Sequence, residues 1–478
     1  MLHIGKTLSL IVSLILMSLV TSPPLLSAEL PHAIQWNNIS TDEIADIPFK
    51  TVDPDVLKSA FEKRGFVSTP LNYDDPNGRQ INIFYRLMPS HGSTSADLNK
   101  PILVVMNGGP GSASSGYRAL DHNYQDPQAV DAFSELAKYF RILAVDQRGT
   151  GQSMPLDLDN PKLSQKIIAR YFDADEHARD HGAVIAAVIP KDEKFFILAR
   201  SYGGLIGFQY LTLEGELRVP AGMVMSSAMQ PHMDSVQVFA KRREKQLDLN
   251  RRLLASNSDI KNKIDRLRLH LDSLGIDSNN VHRLWHYLGK DLGWEQKLAN
   301  QIDVLLDIRS PEIMKSNLQD GTSSTVNLLN YVLSSAALTP GFTDRTMTIE
   351  TSRMIPFENW MLDENWTLNQ IGKDGSWREK FINAVDDNQP PATAIPSVSE
   401  IREALSHHHI LFTFGRSDAF LSQERQLQNA KRFETANQTQ FHVFEGGHGA
   451  SFSEEGARTV WQWARTLLKG NSSLTNNE

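Results

Sequence analysis

FFILARSYGG, residues 195–204, is an apolar run that leads into a serine and two glycines. The run predicts a strand that is covered on both faces, and the residues after it predict a tight turn into a helix. Such a turn lifts Ser201 clear of the sheet, beside the positive end of the helix dipole. Ser201 is therefore the candidate nucleophile, and a serine that only caps the helix is the alternative.

The residues around Ser201 depart at one position from the G-x-S-x-G pattern of a serine nucleophile on a strand-to-helix turn. Gly203 fits the second glycine position, but Ala199 stands where the first glycine is usual. Because alanine adds only one methyl group, we expect Ala199 to be accommodated at such a turn.

Short apolar runs of the same kind recur along the chain and end in Gly, Asp or Ser. They are Ile102–Met106, Ile142–Val145, Met223–Met225, Ile410–Phe414 and Phe441–Phe444. Helical patterns lie between them, among them Glu176–Ile189 and Gly204–Leu213. This alternation predicts an α/β fold with a mostly parallel central sheet and helices on both faces. Gln80–Met88 alternates between polar and apolar residues and predicts an early antiparallel strand.

The middle of the chain has a different pattern. Residues 231–396 contain no strong buried strand, and Lys241–Leu274 carries spaced leucines that are typical of an amphipathic helix. The core is therefore predicted in two parts, residues 29–230 and 397–470, with the large helical cap 231–396 inserted between them. The polar tail, residues 471–478, is predicted to be disordered.

Residues 1–28 have the composition of a secretory signal peptide. Lys6 gives a positive start, Leu8–Val20 is apolar, and Ala28 ends the segment as a small residue. A membrane anchor is the alternative, but the apolar stretch is shorter than the roughly 20 residues that span a bilayer. We therefore expect an exported protein, periplasmic or secreted, with no stable membrane insertion after the signal is cleaved.

Composition excludes several classes of function. The net charge is -8 and no long run has one sign, which argues against nucleic acid as a partner. The chain has no cysteine, which excludes a thiol nucleophile and a thiolate metal site. The zinc-hydrolase spacing H-E-x-x-H does not occur in the sequence either. No cofactor and no metal are predicted.

A serine nucleophile needs a base and an acid, and both have candidates directly after apolar runs. His448 lies between glycines in GGHG, and Asp418 ends the turn GRSD. Each residue alone has an ordinary interpretation, a loop histidine or a turn aspartate that caps its own backbone. Together they gain weight, because Ser201, Asp418 and His448 follow strands whose carboxyl ends meet at one edge of a parallel sheet.

The loop NGGPG, residues 107–111, is the candidate oxyanion hole. Glycine lets a backbone N–H point at a substrate oxygen, and the predicted donors are the N–H groups of Gly109 and Tyr202. The loop fits neither glycine-rich phosphate-binding pattern, so nucleotide binding is not favoured. A second motif, DQRGTGQS at 146–153, is predicted to tie neighbouring loops together through Asp146 and Arg148 rather than to act in catalysis.

In this order, NGGPG, DQRGTGQS, RSYGG, GRSD and GGHG resemble the prolyl aminopeptidase (proline iminopeptidase) family of α/β-hydrolases. The resemblance covers roughly residues 65–230 and 400–468. It implies the α/β-hydrolase fold with a helical cap. It also implies a Ser-His-Asp triad in which Ser201 is the nucleophile, Asp418 the acid and His448 the base, with Gly109 and Tyr202 as oxyanion donors.

In that family, carboxylates of the cap bind the substrate's α-amine, and an apolar pocket holds proline. Glu295, Glu358 and Glu364 are candidates for this role here. Two positions depart from the family pattern, since Asn107 replaces the usual histidine of the glycine loop and Ala199 replaces glycine. Proline specificity is therefore a weaker expectation than serine hydrolysis.

Three functions are compatible with these residues. The first is an exported aminopeptidase that releases an N-terminal residue, proline above all, through an acyl-enzyme. The second is a carboxylesterase or small-molecule amide hydrolase on the same core. The third is a binding protein that kept the fold and lost catalysis. The expected partner is a short peptide or a small amide or ester, and the sequence does not set the oligomeric state.

Overall fold

The computed structural model has eight strands in one sheet. In chain order they are β1 (Lys63–Pro70), β2 (Gln80–Met88), β3 (Ile102–Met106), β4 (Arg141–Val145), β5 (Phe195–Arg200), β6 (Gly222–Ser226), β7 (Ile410–Gly415) and β8 (Thr439–Phe444). Their order across the sheet is β1-β2-β4-β3-β5-β6-β7-β8. The structure describes residues 44–49, 63–88, 99–108, 113–114, 133–156, 171–213, 215–233, 245, 248–249, 251–276, 294–314, 396–418, 421–435 and 438–469.

Six neighbouring strands, from β4 across to β8, are parallel to one another. Strand β2 is antiparallel to both of its neighbours, β1 and β4. This arrangement confirms the predicted mostly parallel sheet and the antiparallel strand at Gln80–Met88. Parallel strands need crossover connections, and these connections carry the helices.

The helices of the described residues alternate with the strands of the core. They are α1 (Ser134–Ala137), α2 (Ala174–Val188), α3 (Gly203–Thr212), α4 (Ser258–Ser273), α5 (Trp294–Asp307), α6 (Val398–Ser406), α7 (Gln423–Ala430) and α8 (Glu454–Leu468). Their ends follow capping chemistry. For example, the Asp173 side chain accepts a hydrogen bond from the Glu176 N–H at the start of α2.

The central strands are buried on both faces, because helices cover each side of the sheet. Along β5, Phe195, Ile197 and Ala199 join an apolar cluster with residues of α2, α3 and α6. Phe196 and Leu198 point the other way and join a cluster with α1 and α8. Successive side chains of a strand point to opposite faces, so a continuous apolar run packs on both. The prediction of helices on both faces is confirmed.

Two described helices lie within the segment predicted as the cap. Helices α4 and α5 pack against each other through a leucine- and isoleucine-rich cluster of their own, which includes Leu267, Leu271, Leu298 and Ile302. This confirms the helical character expected around Lys241–Leu274, while the cap boundaries remain predictions. The predicted signal peptide and the C-terminal tail lie outside the described residues.

Among the helices that the structure describes, none combines the length and the apolar character needed to cross a bilayer. The carboxyl ends of the parallel strands lie along one edge of the sheet. The segments that leave this edge carry Asp146 after β4, Ser201 after β5, Asp418 after β7 and His448 after β8. In open α/β sheets, this edge is where sites form.

Candidate active site

Ser201 occupies a sharp turn between β5 and α3. Its φ is 52°, in the left-handed region that a non-glycine residue rarely adopts. Such a conformation costs about 1–3 kcal/mol and persists only when the surroundings impose it. Here the Ser201 N–H donates to the Ser226 carbonyl at 3.1 Å, and the Ser201 carbonyl accepts from Gly204 and Met229. The turn therefore holds the serine at the carboxyl edge of the sheet.

The alanine at the first glycine position of the motif is accommodated by a glycine on α3. Ala199 is fully buried. A Cβ at Gly207 would lie 2.8 Å from the Ala199 Cβ, closer than side-chain carbons approach each other. The missing methyl at position 207 therefore makes room for the additional methyl at position 199. This departure from the motif leaves the turn intact.

The side chains of Asp418 and His448 contact each other with the geometry of an ion pair, at the same carboxyl edge of the sheet. His448 Nδ1 lies 2.9 Å from Asp418 Oδ2, and the two residues are 6% and 1% exposed. An ionised carboxylate can only accept hydrogen bonds, so Nδ1 carries the proton and the basic lone pair is at Nε2. This tautomer is the one that a histidine base requires.

Close backbone packing brings the acid turn and the histidine loop together. A Cβ at Gly415 would lie 1.9 Å from the Gly447 carbonyl oxygen, so only glycine fits between β7 and the loop. The Ser417 N–H donates to the Gly446 carbonyl at 2.8 Å. Beyond the loop, the Ser451 hydroxyl pairs with that of Ser226 at the end of β6. The two loops are thereby fixed relative to each other.

The glycine loop after β3 lies against the serine. A Cβ at Gly108 would be 2.7 Å from the Ser201 Cβ and 3.4 Å from its Oγ. The carbonyl of Asn107, just before it, accepts a hydrogen bond from Gln147 Nε2 at 3.2 Å. Gly109, the predicted oxyanion donor, lies outside the described residues, whereas Tyr202 directly follows Ser201 and is fully buried. Both oxyanion assignments remain predictions.

A family model for the alpha/beta hydrolase fold matches residues 101–264, which include β3, the Ser201 turn and β6. The strand order, in which the strands from β4 to β8 are parallel and β2 is antiparallel to β4, agrees with this fold. The chain has the α/β-hydrolase fold.

Two curated proteins that are similar to this chain are named proline iminopeptidase. The protein named "Proline iminopeptidase" from Aeromonas sobria is 29% identical over 31% of this chain and 33% of its own length. "Proline iminopeptidase aneH" from Aspergillus aculeatus is 28% identical over 30% of this chain and 32% of its own length. The aligned segments thus span about a third of these relatives.

Solved structures similar to this chain include a bromoperoxidase from Bacillus anthracis. It has 13% identity and a TM-score of 0.38, with 85% of this chain and 100% of that chain covered. A thermophilic esterase from Thermogutta terrifontis has 14% identity and a TM-score of 0.37, with 84% of this chain and 99% of that chain covered.

Arg148, in the segment after β4, is a fully buried cation. Its guanidinium donates two bonds of 2.7 Å to the Asp180 carboxylate and lies 3.1 Å from Glu176 Oε2. It also donates to the carbonyls of Leu71 and Tyr171. Burial by itself lowers the pKa of Arg148, but the Asp180 and Glu176 carboxylates outweigh it and hold that pKa above its usual value. Arg148 thus fastens the segment after β4 to α2 and to the loops that carry Leu71 and Tyr171. The sequence predicted a tie between neighbouring loops, and the link to α2 is additional.

Two buried histidines on α2 connect this cluster to the residue after the serine. The Tyr202 hydroxyl lies 3.2 Å from His177 Nδ1, and His181 Nδ1 lies 2.7 Å from the His177 carbonyl. Burial, followed by the nearby Arg148 cation and His181, lowers the pKa of His177 well below its usual value. Burial also lowers the pKa of His181. Both rings are therefore neutral in the folded protein.

These two histidines predict a loss of stability on mild acidification. Below about pH 6.5 the unfolded chain binds more protons at these two positions than the folded chain does, so the free energy of unfolding falls as pH falls. Each histidine contributes up to about 1.4 kcal/mol per pH unit. We expect His177→Phe to reduce the slope of unfolding free energy against pH between pH 6.5 and 5, measured by urea titration. His407→Gln, at an exposed position, is the control. Equal slopes in wild type and His177→Phe would contradict the assignment.

Sequence reasoning missed several residues of the site region. Gln426, on α7, donates to the carboxylate of Asp418, and His177 contacts Tyr202. A signal for His177 was present, because His177 and His181 share a helix face with Val184 and Val188. Gln426 carried no such signal, since it lies in a uniformly polar segment. Of the predicted amine-binding carboxylates, Glu295 is exposed in the first turn of α5, while Glu358 and Glu364 lie outside the described residues.

Proposed function

We propose that this chain is an exported serine aminopeptidase that releases the N-terminal residue, preferentially proline, from short peptides. The observation that carries the proposal is the buried pair of His448 and Asp418 at the same edge of the sheet as the left-handed turn of Ser201. An activated serine needs a base that is oriented by a third group. The choice of an N-terminal proline is supported by the relatives named proline iminopeptidase, and export is supported by the predicted signal peptide 1–28.

In the proposed mechanism, Ser201 Oγ attacks the carbonyl of the scissile bond while His448 Nε2 takes its proton. Asp418 holds the ring in the required tautomer and stabilises the imidazolium that forms. The backbone N–H groups of Gly109 and Tyr202 receive the negative charge of the tetrahedral intermediate. His448 then protonates the leaving amine, and a water activated by the same ring hydrolyses the acyl-enzyme.

The His177–Tyr202 contact supports the oxyanion part of this mechanism. Preorganised donors are effective because they need no reorganisation when charge develops. The Tyr202 side chain is anchored on α2, which is itself fastened to β4 by Arg148. A fixed side chain restricts the peptide unit between Ser201 and Tyr202, whose N–H is the proposed donor.

The proposal is tested with three 4-nitroanilides, of proline, alanine and N-acetyl-proline. We expect the wild type to cleave the proline compound best and the N-acetyl compound not at all, because an aminopeptidase recognises the free amine. Ser201→Ala should cleave none of them. Cleavage of 4-nitrophenyl esters through Ser201 without any amide cleavage would instead make the protein an esterase. Failure on all substrates, with no labelling by a fluorophosphonate, would leave a binding protein.

A further inference from the structure

Gln426 is a buried amide that contacts the proposed triad acid. It lies on α7, in the segment that follows the acid turn, and is 0% exposed. Its Nε2 donates to Asp418 Oδ2 at 3.0 Å, and Oδ2 is also the atom that His448 Nδ1 approaches. The Leu421 N–H donates to the other oxygen, Oδ1, at 3.2 Å. The carboxylate is therefore held in one plane by donors on both oxygens.

We infer that Gln426 is a positioning residue that fixes the Asp418 carboxylate in its contact with His448. The inference rests on the proposed serine hydrolysis. A carboxylate that accepts several hydrogen bonds is stabilised in its charged form. A neutral amide supplies such a bond without adding a charge beside the histidine. The same bond prevents Asp418 from rotating away from His448 Nδ1.

Gln426 is itself held in place by a network of amides. The backbone carbonyl of Gln426 accepts a hydrogen bond from Gln230 Nε2 at 3.1 Å, and Gln230 Oε1 accepts one from Asn429 Nδ2 at 3.1 Å. Asn429 also donates to the Pro231 carbonyl at 2.9 Å. All three side chains are buried. Helix α7 is thereby fastened to the segment after β6, and Gln426 meets Asp418 in a preformed geometry.

Charged groups from several elements surround Asp418. His448 approaches from the loop after β8. A cavity of about 210 Å³ beside Asp418 is lined by Arg416, by Glu424 of α7, and by Lys245 and Asp248 of the predicted cap. Arg416 is paired with Glu445 at 2.5 Å. Gln426 is an uncharged donor among these groups. A substitution that gives its side chain a negative charge is therefore a specific test of its role beside Asp418.

Two substitutions separate positioning from packing. Gln426→Leu keeps the volume and removes the donor, and we expect kcat for proline 4-nitroanilide to fall about ten- to hundredfold with KM unchanged. Gln426→Glu can still donate a hydrogen bond while the introduced carboxyl is protonated. Once that carboxyl ionises, its charge opposes that of Asp418. We therefore expect the ratio of variant to wild-type kcat/KM to fall as pH rises from 5.5 to 9.

The matched control is Gln428→Glu, the same change on the exposed face of α7. Its activity ratio should be independent of pH. The inference is overturned if the Gln426→Glu ratio is equally flat, or if folded Gln426→Leu keeps kcat within twofold of wild type. Should Gln426→Leu fail to fold, the pH dependence of Gln426→Glu decides. Ser201→Ala is assayed in parallel. Retained activity in Ser201→Ala would refute the proposed serine mechanism itself, and the role of Gln426 with it.

Discussion

Ser201→Ala is expected to lower kcat about a million-fold, to the level left by substrate binding and oxyanion donors alone. The reason is that the variant has no nucleophile, while His448 and Asp418 keep their geometry. The turn itself should survive, because its hydrogen bonds to Ser226, Gly204 and Met229 are made by backbone atoms. We therefore expect the melting temperature to stay close to that of the wild type. Steady-state kinetics and thermal unfolding on the same preparations measure both quantities.

Ser227→Ala is the matched control for this prediction. Ser227 follows the neighbouring strand β6 and also has a positive φ, of 41°. Its N–H donates to the Thr413 carbonyl, so it too is held by the backbone. We expect Ser227→Ala to keep its activity. Activity in Ser201→Ala within tenfold of wild type would refute the role of Ser201 as nucleophile.

Arg148→Ala is expected to lower the free energy of unfolding by about 3–5 kcal/mol. The substitution leaves the carboxylates of Asp180 and Glu176 buried without their cation, and both are almost fully shielded from water. Arg148→Lys should recover only part of the loss. An ammonium cannot make the two parallel bonds that the guanidinium makes to Asp180. Urea unfolding at pH 7, with the slope of the transition checked against wild type, measures the effect.

The control for Arg148 is a partly exposed arginine on α2, the helix that Arg148 contacts. Arg179 pairs with Asp175 and Glu216, and its side chain is 25% exposed. Because water screens such pairs, Arg179→Ala should cost about 1 kcal/mol or less. Similar losses for Arg148→Ala and Arg179→Ala would contradict the view that the buried cluster anchors β4 to α2.

Sequence reasoning identified the parts of the fold that depend on apolar patterning. Strands β3 to β8 each contain an apolar run that the covered sheet requires, and predicted ends differ from observed ones by only a few residues. Strand β1 was not predicted. Its sequence KRGFVSTP lies at the edge of the sheet and is exposed or half-buried except at Thr69, so burial imposes no apolar pattern on it. Pairing with β2 alone makes it a strand.

Sequence reasoning predicted the parts of the candidate site that lie at strand ends next to glycines. It did not predict the parts that consist of buried polar residues. Asp418 and His448, which the structure brings into contact, are candidates from the sequence because each follows an apolar run at a glycine-containing loop. Helix α7, QERQLQNA, was missed because its buried face is made of Gln426, Asn429 and Ala430. Such a face has no apolar periodicity, and its burial depends on partners distant in sequence. The carboxylates of Asp180 and Glu176 around Arg148 were not predicted either, because their burial also depends on partners distant in sequence.

The most direct test of the serine mechanism is covalent labelling with a fluorophosphonate, followed by peptide mapping by mass spectrometry. The account predicts one phosphonylated residue, Ser201, labelled rapidly in the wild type and much more slowly when His448 is replaced by alanine. An absence of labelling, or a label on another serine that persists in Ser201→Ala, would contradict it.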